Sequence, residues 1–364
     1  PGTTRIARIR NRDFLNVEKI QIGEILGLSL VINPEAEVVK TVLRLLEVPG
    51  AVDVVDFAEG LVRLIGFKID ANSRLDGLTM YELRALDPEN NILITAIYRE
   101  NSVIIPSGET RLKSGDLVYV PTQPENLEKI LAFFDLTPGS AKNIFIVGGG
   151  QVGRHLALAL EEQGVSVKLV ERNASVCREL SEILRKTIIL KGDGTDQALL
   201  EEENVADADV FIALTNDEEE NVLSCLQAKR LGAQYAITRI NKFSYIPLVT
   251  AIGLETIISS RLSAISVILQ HIRRGKVMSV AALKGEDAEA IEFVALESSD
   301  IIGKSLEDIK FPRESLIAAI VRNNRVIIPR GQTVIEPDDR IIIFARQEAI
   351  SKVEKAFMVK LEYF

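Results

Sequence analysis

The amino-acid sequence predicts an α/β protein. A doubly wound parallel sheet is joined to small α+β modules, and the whole is a tandem repeat whose first copy is incomplete. Three observations predict this. Residues 143–157 read Asn-Ile-Phe-Ile-Val-Gly-Gly-Gly-Gln-Val-Gly-Arg-His-Leu-Ala, an apolar run meeting G-x-G-x-x-G and then an apolar-periodic segment. From there to residue 274, strand-like and helix-like segments alternate, the pattern of a parallel sheet with helices on both faces. Finally, V-I-I-P-S-G-E-T at 103–110 recurs as V-I-I-P-R-G-Q-T at 326–333.

The first observation sets the chemistry. Strand, tight turn and helix in that order form the phosphate-binding start of a Rossmann-type fold. Gly148 and Gly150 let the backbone turn and approach a pyrophosphate, and Gly153 lets the helix pack closely on the strand. The helix N-terminus offers N–H groups and a positive dipole end. A second strand ends in Glu171, about 20 residues on, where a carboxylate that holds a ribose belongs. The competing reading is a Gly-rich turn with a solvated Glu.

The elements follow in order. Strands are expected at 143–147, 165–170, 187–190, 209–214, 235–239 and 254–258. Helices are expected near 151–163, 175–186, 196–203, 218–231, 242–252 and 261–274. Lys191-Gly-Asp193-Gly-Thr195-Asp follows the third strand, where it serves as a turn and helix cap or lies beside the adenine half of a nucleotide. Thr215-Asn216-Asp217-Glu218 follows the fourth strand, and Thr215-x-x-Glu218 fits a capping box. Arg239 ends the fifth strand, either solvated or pairing with phosphates.

The repeat extends beyond one motif. Ile94–Arg99 matches Ile317–Arg322, Gly27–Ile32 matches Gly253–Ile258, and Ala7-Arg8-Ile9 matches Thr238-Arg239-Ile240. The expected layout is therefore 1–57, the last βα units of a first Rossmann-like domain; 58–135, an α+β module ending in a helix at 124–134; a linker at 136–142; 143–274, the complete Rossmann domain; and 275–364, the second module, with a helix at 347–358. Residues 1–57 hold no counterpart of the glycine loop or Glu171. The pattern predicts that a longer protein begins upstream, and that the incomplete segment shelters against the complete domain or another chain.

Composition narrows the function. Formal charge is −9 with 47% hydrophobic residues, which disfavours nucleic acid and anionic lipid as partners. No apolar run reaches a membrane span. Two cysteines and two histidines, Cys177, Cys225, His155 and His271, suggest neither a disulfide nor a zinc site. No Tyr-x-x-x-Lys pair or other acid/base constellation stands beside the glycine loop, so the chain reads as a non-enzyme.

Together, Ile146–Gly153, Glu171, Gly192–Thr195, Leu214–Asp217 and Thr238–Ile240 resemble the RCK (KTN) nucleotide-binding domain. The modules carrying V-I-I-P-x-G-x-T resemble its C-terminal companion. Two such units in one chain are similar to the tandem RCK regulatory subunits of Trk potassium uptake systems. The resemblance implies a homo-oligomer, a dimer or tetramer, assembled beneath a membrane potassium pore subunit. The chain would be cytoplasmic and peripheral on the inner face of the cell membrane, without inserting into it. It implies NAD(H) as ligand, with ATP or ADP as the alternative; Glu171 disfavours a 2′-phosphate. Gly148, Gly149, Gly150, Gln151, Val152 and Gly153 would form the phosphate loop, with Glu171 on the ribose and Asp193 and Thr195 near the adenine. Thr215, Asn216 and Arg239 would enclose the rest. Gln151 replaces an Arg frequent in single-unit relatives. The alternatives are an NAD-dependent oxidoreductase and a nucleotide-stabilised scaffold without gating.

Overall fold

The computed structural model describes residues 5–9, 28–87, 92–100, 102–272, 277–282, 288–299 and 301–357. The first half runs β1 (Ile6–Arg8), β2 (Leu30–Ile32), α1 (Pro34–Glu47), β3 (Ala51–Phe57), β4 (Val62–Lys68), α2 (Met80–Leu86), β5 (Ala96–Arg99), β6 (Ser102–Ile104), β7 (Leu117–Thr122) and α3 (Leu127–Phe133). The second half continues with β8 (Asn143–Val147), α4 (Gln151–Glu162), β9 (Ser166–Glu171), α5 (Ala174–Ile183), β10 (Ile188–Lys191), α6 (Gln197–Glu202), β11 (Val210–Ala213), α7 (Glu218–Leu231), β12 (Tyr235–Arg239), α8 (Ile246–Ala251), β13 (Thr256–Ile258) and α9 (Ser260–Ile272). It ends with β14 (Val277–Ala282), β15 (Ala288–Val294), β16 (Ser315–Arg322), β17 (Arg325–Ile327), β18 (Arg340–Arg346) and α10 (Gln347–Phe357). Two compact units result, one from 1–47 with 139–265, the other from 48–138 with 266–364.

The first unit holds a six-stranded parallel sheet in the order β10-β9-β8-β11-β12-β13. β8 and β11 are apolar runs because helices cover both faces of such a sheet. Phe145 and Phe211 stack at 5.5 Å between ring centroids in its core. The chain winds outward from β8 one way, then returns to β11 and winds the other, so the switch point lies between β8 and β11. Val147 is in register with both Val170 and Ala213, so the loops leaving β8, β9 and β11 emerge side by side.

The N-terminal segment joins this unit. β1 and β2 pair in parallel, and α1 packs along α4, the helix that follows the glycine loop. Val38 and Val42, four apart on one face of α1, are fully buried. The segment ends sooner than the sequence suggests. Ala51–Phe57, expected with the parallel elements, pairs antiparallel with β4 instead. Its mixed pattern, with Asp53 and Asp56 half-buried between buried Val52, Val54 and Phe57, fits a strand of a partly covered antiparallel sheet.

The second unit contains two five-stranded antiparallel sheets of identical order, β3-β4-β7-β5-β6 and β14-β15-β18-β16-β17. The repeat extends to single hydrogen bonds. Arg99 Nε lies 2.6 Å from Asp116 Oδ1, and Arg322 Nε 2.8 Å from Asp339 Oδ1, both carboxylates being buried. The hydroxyls of Thr110 and Thr333 accept the N–H of Ser107 and Arg330, each at 2.9 Å. The threonine of the repeated motif is thus a turn residue. The two sheets share one hydrophobic core, in which Tyr119 of the first repeat meets Phe344 of the second at 5.8 Å. Glu292 of the second repeat accepts the Ala58 N–H of the first at 3.1 Å.

Candidate functional site

A cleft of about 570 Å³ opens at the switch point of the parallel sheet. Its floor is the glycine loop. Gly148 has φ +103°, in the region that favours glycine, and donates its N–H to Val170 O at 2.9 Å. Gly150 is the N-cap of α4, with no side chain capping the helix and no acidic residue in its first turn. The first-turn N–H groups therefore have no intrahelical acceptor. A Cβ built on Gly150 would meet nothing within 4 Å, whereas one on Gly153 would lie 2.0 Å from Gly148 O. The two glycines do different work: Gly150 keeps space open, and Gly153 lets α4 touch the loop.

The side toward β9 carries Glu171, Arg172 and the loop after β10. Glu171 accepts the Gly149 N–H on Oε2 at 2.8 Å and the Asn173 N–H on Oε1 at 2.7 Å. Each oxygen keeps a second lone pair, so the carboxylate can still accept from a ligand hydroxyl. Asp193 accepts the Thr195 N–H at 2.8 Å and its hydroxyl at 2.7 Å. The Thr195 N–H and then its hydroxyl hold the Asp193 carboxyl below its ordinary pKa. A Cβ on Gly194 would lie 2.2 Å from Val147, so this loop also needs its glycine.

The side toward β11 is built around Asn221, which is fully buried in α7. Its Oδ1 accepts the Thr215 N–H at 2.9 Å and the Thr215 hydroxyl at 2.8 Å; its Nδ2 donates to Thr215 O and Arg239 O, each at 3.1 Å. One amide side chain thus fixes the loop after β11 and the end of β12. Arg239 reaches back toward Asn216 Oδ1 at 3.4 Å. The cap of α7 departs from the expected Thr215–Glu218 box. Asp217 is the N-cap and accepts the Glu220 N–H at 2.9 Å, because Thr215 is already committed to Asn221.

The structure brings Gly148, Gly150, Gln151, Val152, Glu171, Asp193, Thr195, Thr215, Asn216 and Arg239 to this cleft. Gly149 and Gly153 support it from behind: Gly149 faces Leu180 and Glu171, Gly153 the Gly148 carbonyl. Sequence reasoning missed Glu35, Arg172, Gly194, Glu220 and Asn221. Gly194 was visible in G-D-G. Glu35 reaches the cleft from α1, paired with Arg8 at 3.3 Å, which no local pattern encodes. Among the described residues, no helix is long and apolar enough to cross a membrane and no cluster could hold a metal ion.

One complete glycine-loop doubly wound domain, a short parallel segment beside it and two copies of an antiparallel companion module define a tandem protein of glycine-loop and companion domains. Residues 144–260 match the TrkA-N domain, and residues 64–135 and 290–358 match the TrkA-C domain. The chain is 36% identical over 356 residues to the Trk system potassium uptake protein TrkA homolog 1 of Methanosarcina mazei, covering 98% of this chain and 79% of that protein. It is 37% identical over 358 residues to the TrkA of Vibrio alginolyticus, covering 97% and 78%. The fold is similar to the crystal structure of the GsuK RCK domain, with TM-score 0.54, 18% identity and 98% and 75% coverage. It is also similar to the GsuK channel bound to NAD, with TM-score 0.53, 17% identity and 98% and 62% coverage. The chain belongs to the TrkA family.

Proposed function

We propose that this chain is a regulatory subunit that binds an adenine nucleotide, NAD(H) with ATP or ADP as the alternative, in the switch-point cleft. Its occupancy controls a Trk-type membrane potassium pore. The observation that carries the binding is the uncapped N-terminus of α4 above an open Gly150. The volume suits such a ligand, since small-molecule sites span about 300–1,000 Å³. Gly148–Gly153 would receive the phosphates at the helix N-terminus, Glu171 a ribose hydroxyl, Asp193 and Thr195 the adenine end, and Thr215, Asn216 and Arg239 the remainder. The nucleotide supplies charge and shape here. The cleft carboxylates Glu171 and Asp193 already hold loop N–H groups, which suits ligand-dependent positioning better than proton transfer.

The control reading is supported by the Trk-system names of the relatives and by the NAD-bound channel of similar fold. The chain works as a homo-oligomer, a dimer or tetramer, on the cytoplasmic side of the membrane and attached through the pore subunit. To move a pore from 1:99 to 99:1 open, ligands must discriminate its states by about 5 kcal/mol. Four subunits can share this at about 1–2 kcal/mol each. Calorimetry with NAD⁺, NADH, ATP and ADP is expected to give one site per chain; two equivalent sites would contradict it. Liposomes carrying a Trk-type pore and this subunit are expected to show nucleotide-dependent potassium flux. Identical flux with every nucleotide and with none would reduce the protein to a scaffold.

A further inference from the structure

One ion pair in the cleft has no task in the reading above. Arg172 follows Glu171 at the end of β9. Glu220 stands in the first turn of α7, beyond β11. Arg172 Nη1 lies 2.7 Å from Glu220 Oε1, and both residues line the cleft with Gly150 and Gln151. Because β8 lies between β9 and β11, the pair joins the two sides of the switch point across the end of β8. Its side chains are 65% and 30% exposed, so water screens it and it adds little to stability.

Arg172 also feels other carboxylates. Hydrogen bonding to Glu220, then the fields of Glu220, Asp193 and Glu171, hold its guanidinium charged. Glu171 and Asp193 are occupied with loop N–H groups. Glu220 is the partner that meets the guanidinium directly, in a pair open to water. A planar guanidinium matches phosphate oxygens at least as well as a carboxylate, and binds them by charge-assisted pairs.

We propose that Arg172 is a specificity-determining residue that recognises ligand phosphate, with Glu220 as the stand-in anion that holds it until a phosphorylated ligand takes it over. This rests on the nucleotide reading of the cleft. A phosphate that captures Arg172 releases Glu220 at the start of α7. A phosphorylated ligand therefore severs the link between the two sides of the cleft, and a bare nucleoside leaves it intact. Ligand charge, rather than adenine alone, becomes the signal passed to α7.

The test is calorimetry on the full chain with adenosine, AMP, ADP, ATP and NAD⁺, for wild type, Arg172→Gln, Glu220→Gln and the double variant. Both residues lie at the surface, and melting curves check that each variant folds. Arg172→Gln is expected to weaken ATP about tenfold, the scale of a charge-assisted hydrogen bond, while adenosine stays within about twofold. Glu220→Gln is expected to tighten ADP and ATP about threefold, the scale of a screened ion pair. The double variant should match Arg172→Gln. Equal losses for adenosine and ATP in Arg172→Gln, or weaker ATP binding in Glu220→Gln, would overturn the proposal. If wild type binds none of the five ligands, the nucleotide reading falls with it. If wild type binds them and Arg172→Gln leaves the series unchanged, this proposal alone falls.

Discussion

Gly150 and Gly153 stand three residues apart in one motif, yet substituting them should give opposite outcomes. A Cβ at 153 would lie 2.0 Å from Gly148 O, about 1 Å inside the nearest approach real Cβ atoms make. Gly153→Ala must therefore push α4 off the loop or shift Gly148, whose φ of +103° and hydrogen bond to Val170 leave it little room. Overpacking of this kind costs about 1–3 kcal/mol. For a unit of this size that lowers the melting temperature by roughly 3–10 °C. At 150 the backbone is ordinary, φ −65°, and an added Cβ meets nothing. Gly150→Val should cost about 1 kcal/mol or less, the penalty of a poorer N-cap. Its branched side chain would nevertheless fill the space in front of the first-turn N–H groups. Thermal melts paired with calorimetry on nucleotides separate the two. Gly153→Ala is expected to melt early, and Gly150→Val to melt almost as wild type but bind no nucleotide. A Gly153→Ala protein that melts as wild type, or a Gly150→Val protein that binds unchanged, would refute the division of labour.

Asn221→Ala removes the four hydrogen bonds that fix Thr215 and Arg239, and should cost about 2–3 kcal/mol in urea unfolding, since it leaves buried polar groups unmet. Glu292→Ala strips a buried carboxylate from Arg340 and from the Ala58 N–H, and should cost about 3 kcal/mol by the same measurement. Glu161 gives a pH dependence. Burial raises its pKa, but N–H groups of Lys186, Arg185 and Thr187 outweigh this and hold the carboxyl below its ordinary value. A depressed folded value means that its contribution is present at neutral pH and is lost as pH falls through the folded pKa. The stability gap between wild type and Glu161→Gln should therefore be widest near pH 7 and shrink in acid, as urea midpoints at several pH values would show.

The parallel sheet was legible because β8 and β11 are apolar runs bounded by loops rich in Gly, Asp and Asn, and because burial on both faces leaves no other use for such runs. The glycine loop was legible because its glycines are required where they stand: Gly148 by its positive φ and the approach of the Thr215 backbone, Gly153 by the Gly148 carbonyl five residues before it. Local pattern failed where two readings shared the same residues. Thr215 and Asp217 both suit a helix cap, and the choice falls to Asp217 only because Asn221, six residues beyond Thr215, takes that threonine. It also failed at β3, whose mixed Ala-Val-Asp-Val-Val-Asp-Phe fits either sheet until its partner β4 is known. Glu35, Arg172 and Glu220 reach the cleft through the winding of the chain, and no spacing in the sequence places a residue of α1 beside the glycine loop.

The shared core of the antiparallel unit divides unevenly between the repeats. The first contributes Phe57, Leu64, Leu117 and Tyr119 with only Ala58 and Ala96 as alanines; the second contributes five alanines, Ala281, Ala288, Ala290, Ala318 and Ala319, along with Val321, Ile342 and Phe344. The first sheet brings more bulk to the shared core and the second more alanine, with Tyr119 and Phe344 meeting between them. Two copies of the first sheet would collide at the bulky positions, and two copies of the second would enclose voids between alanines. Either mismatch costs several kcal/mol in a close-packed core. The duplicated halves have thus become a key and its lock. Tethering keeps the right partner at millimolar effective concentration, about independent of how much protein is present. Newly made chains in a crowded compartment can then close on themselves before they meet a neighbour, and the surfaces left for neighbours are the ones this core does not use.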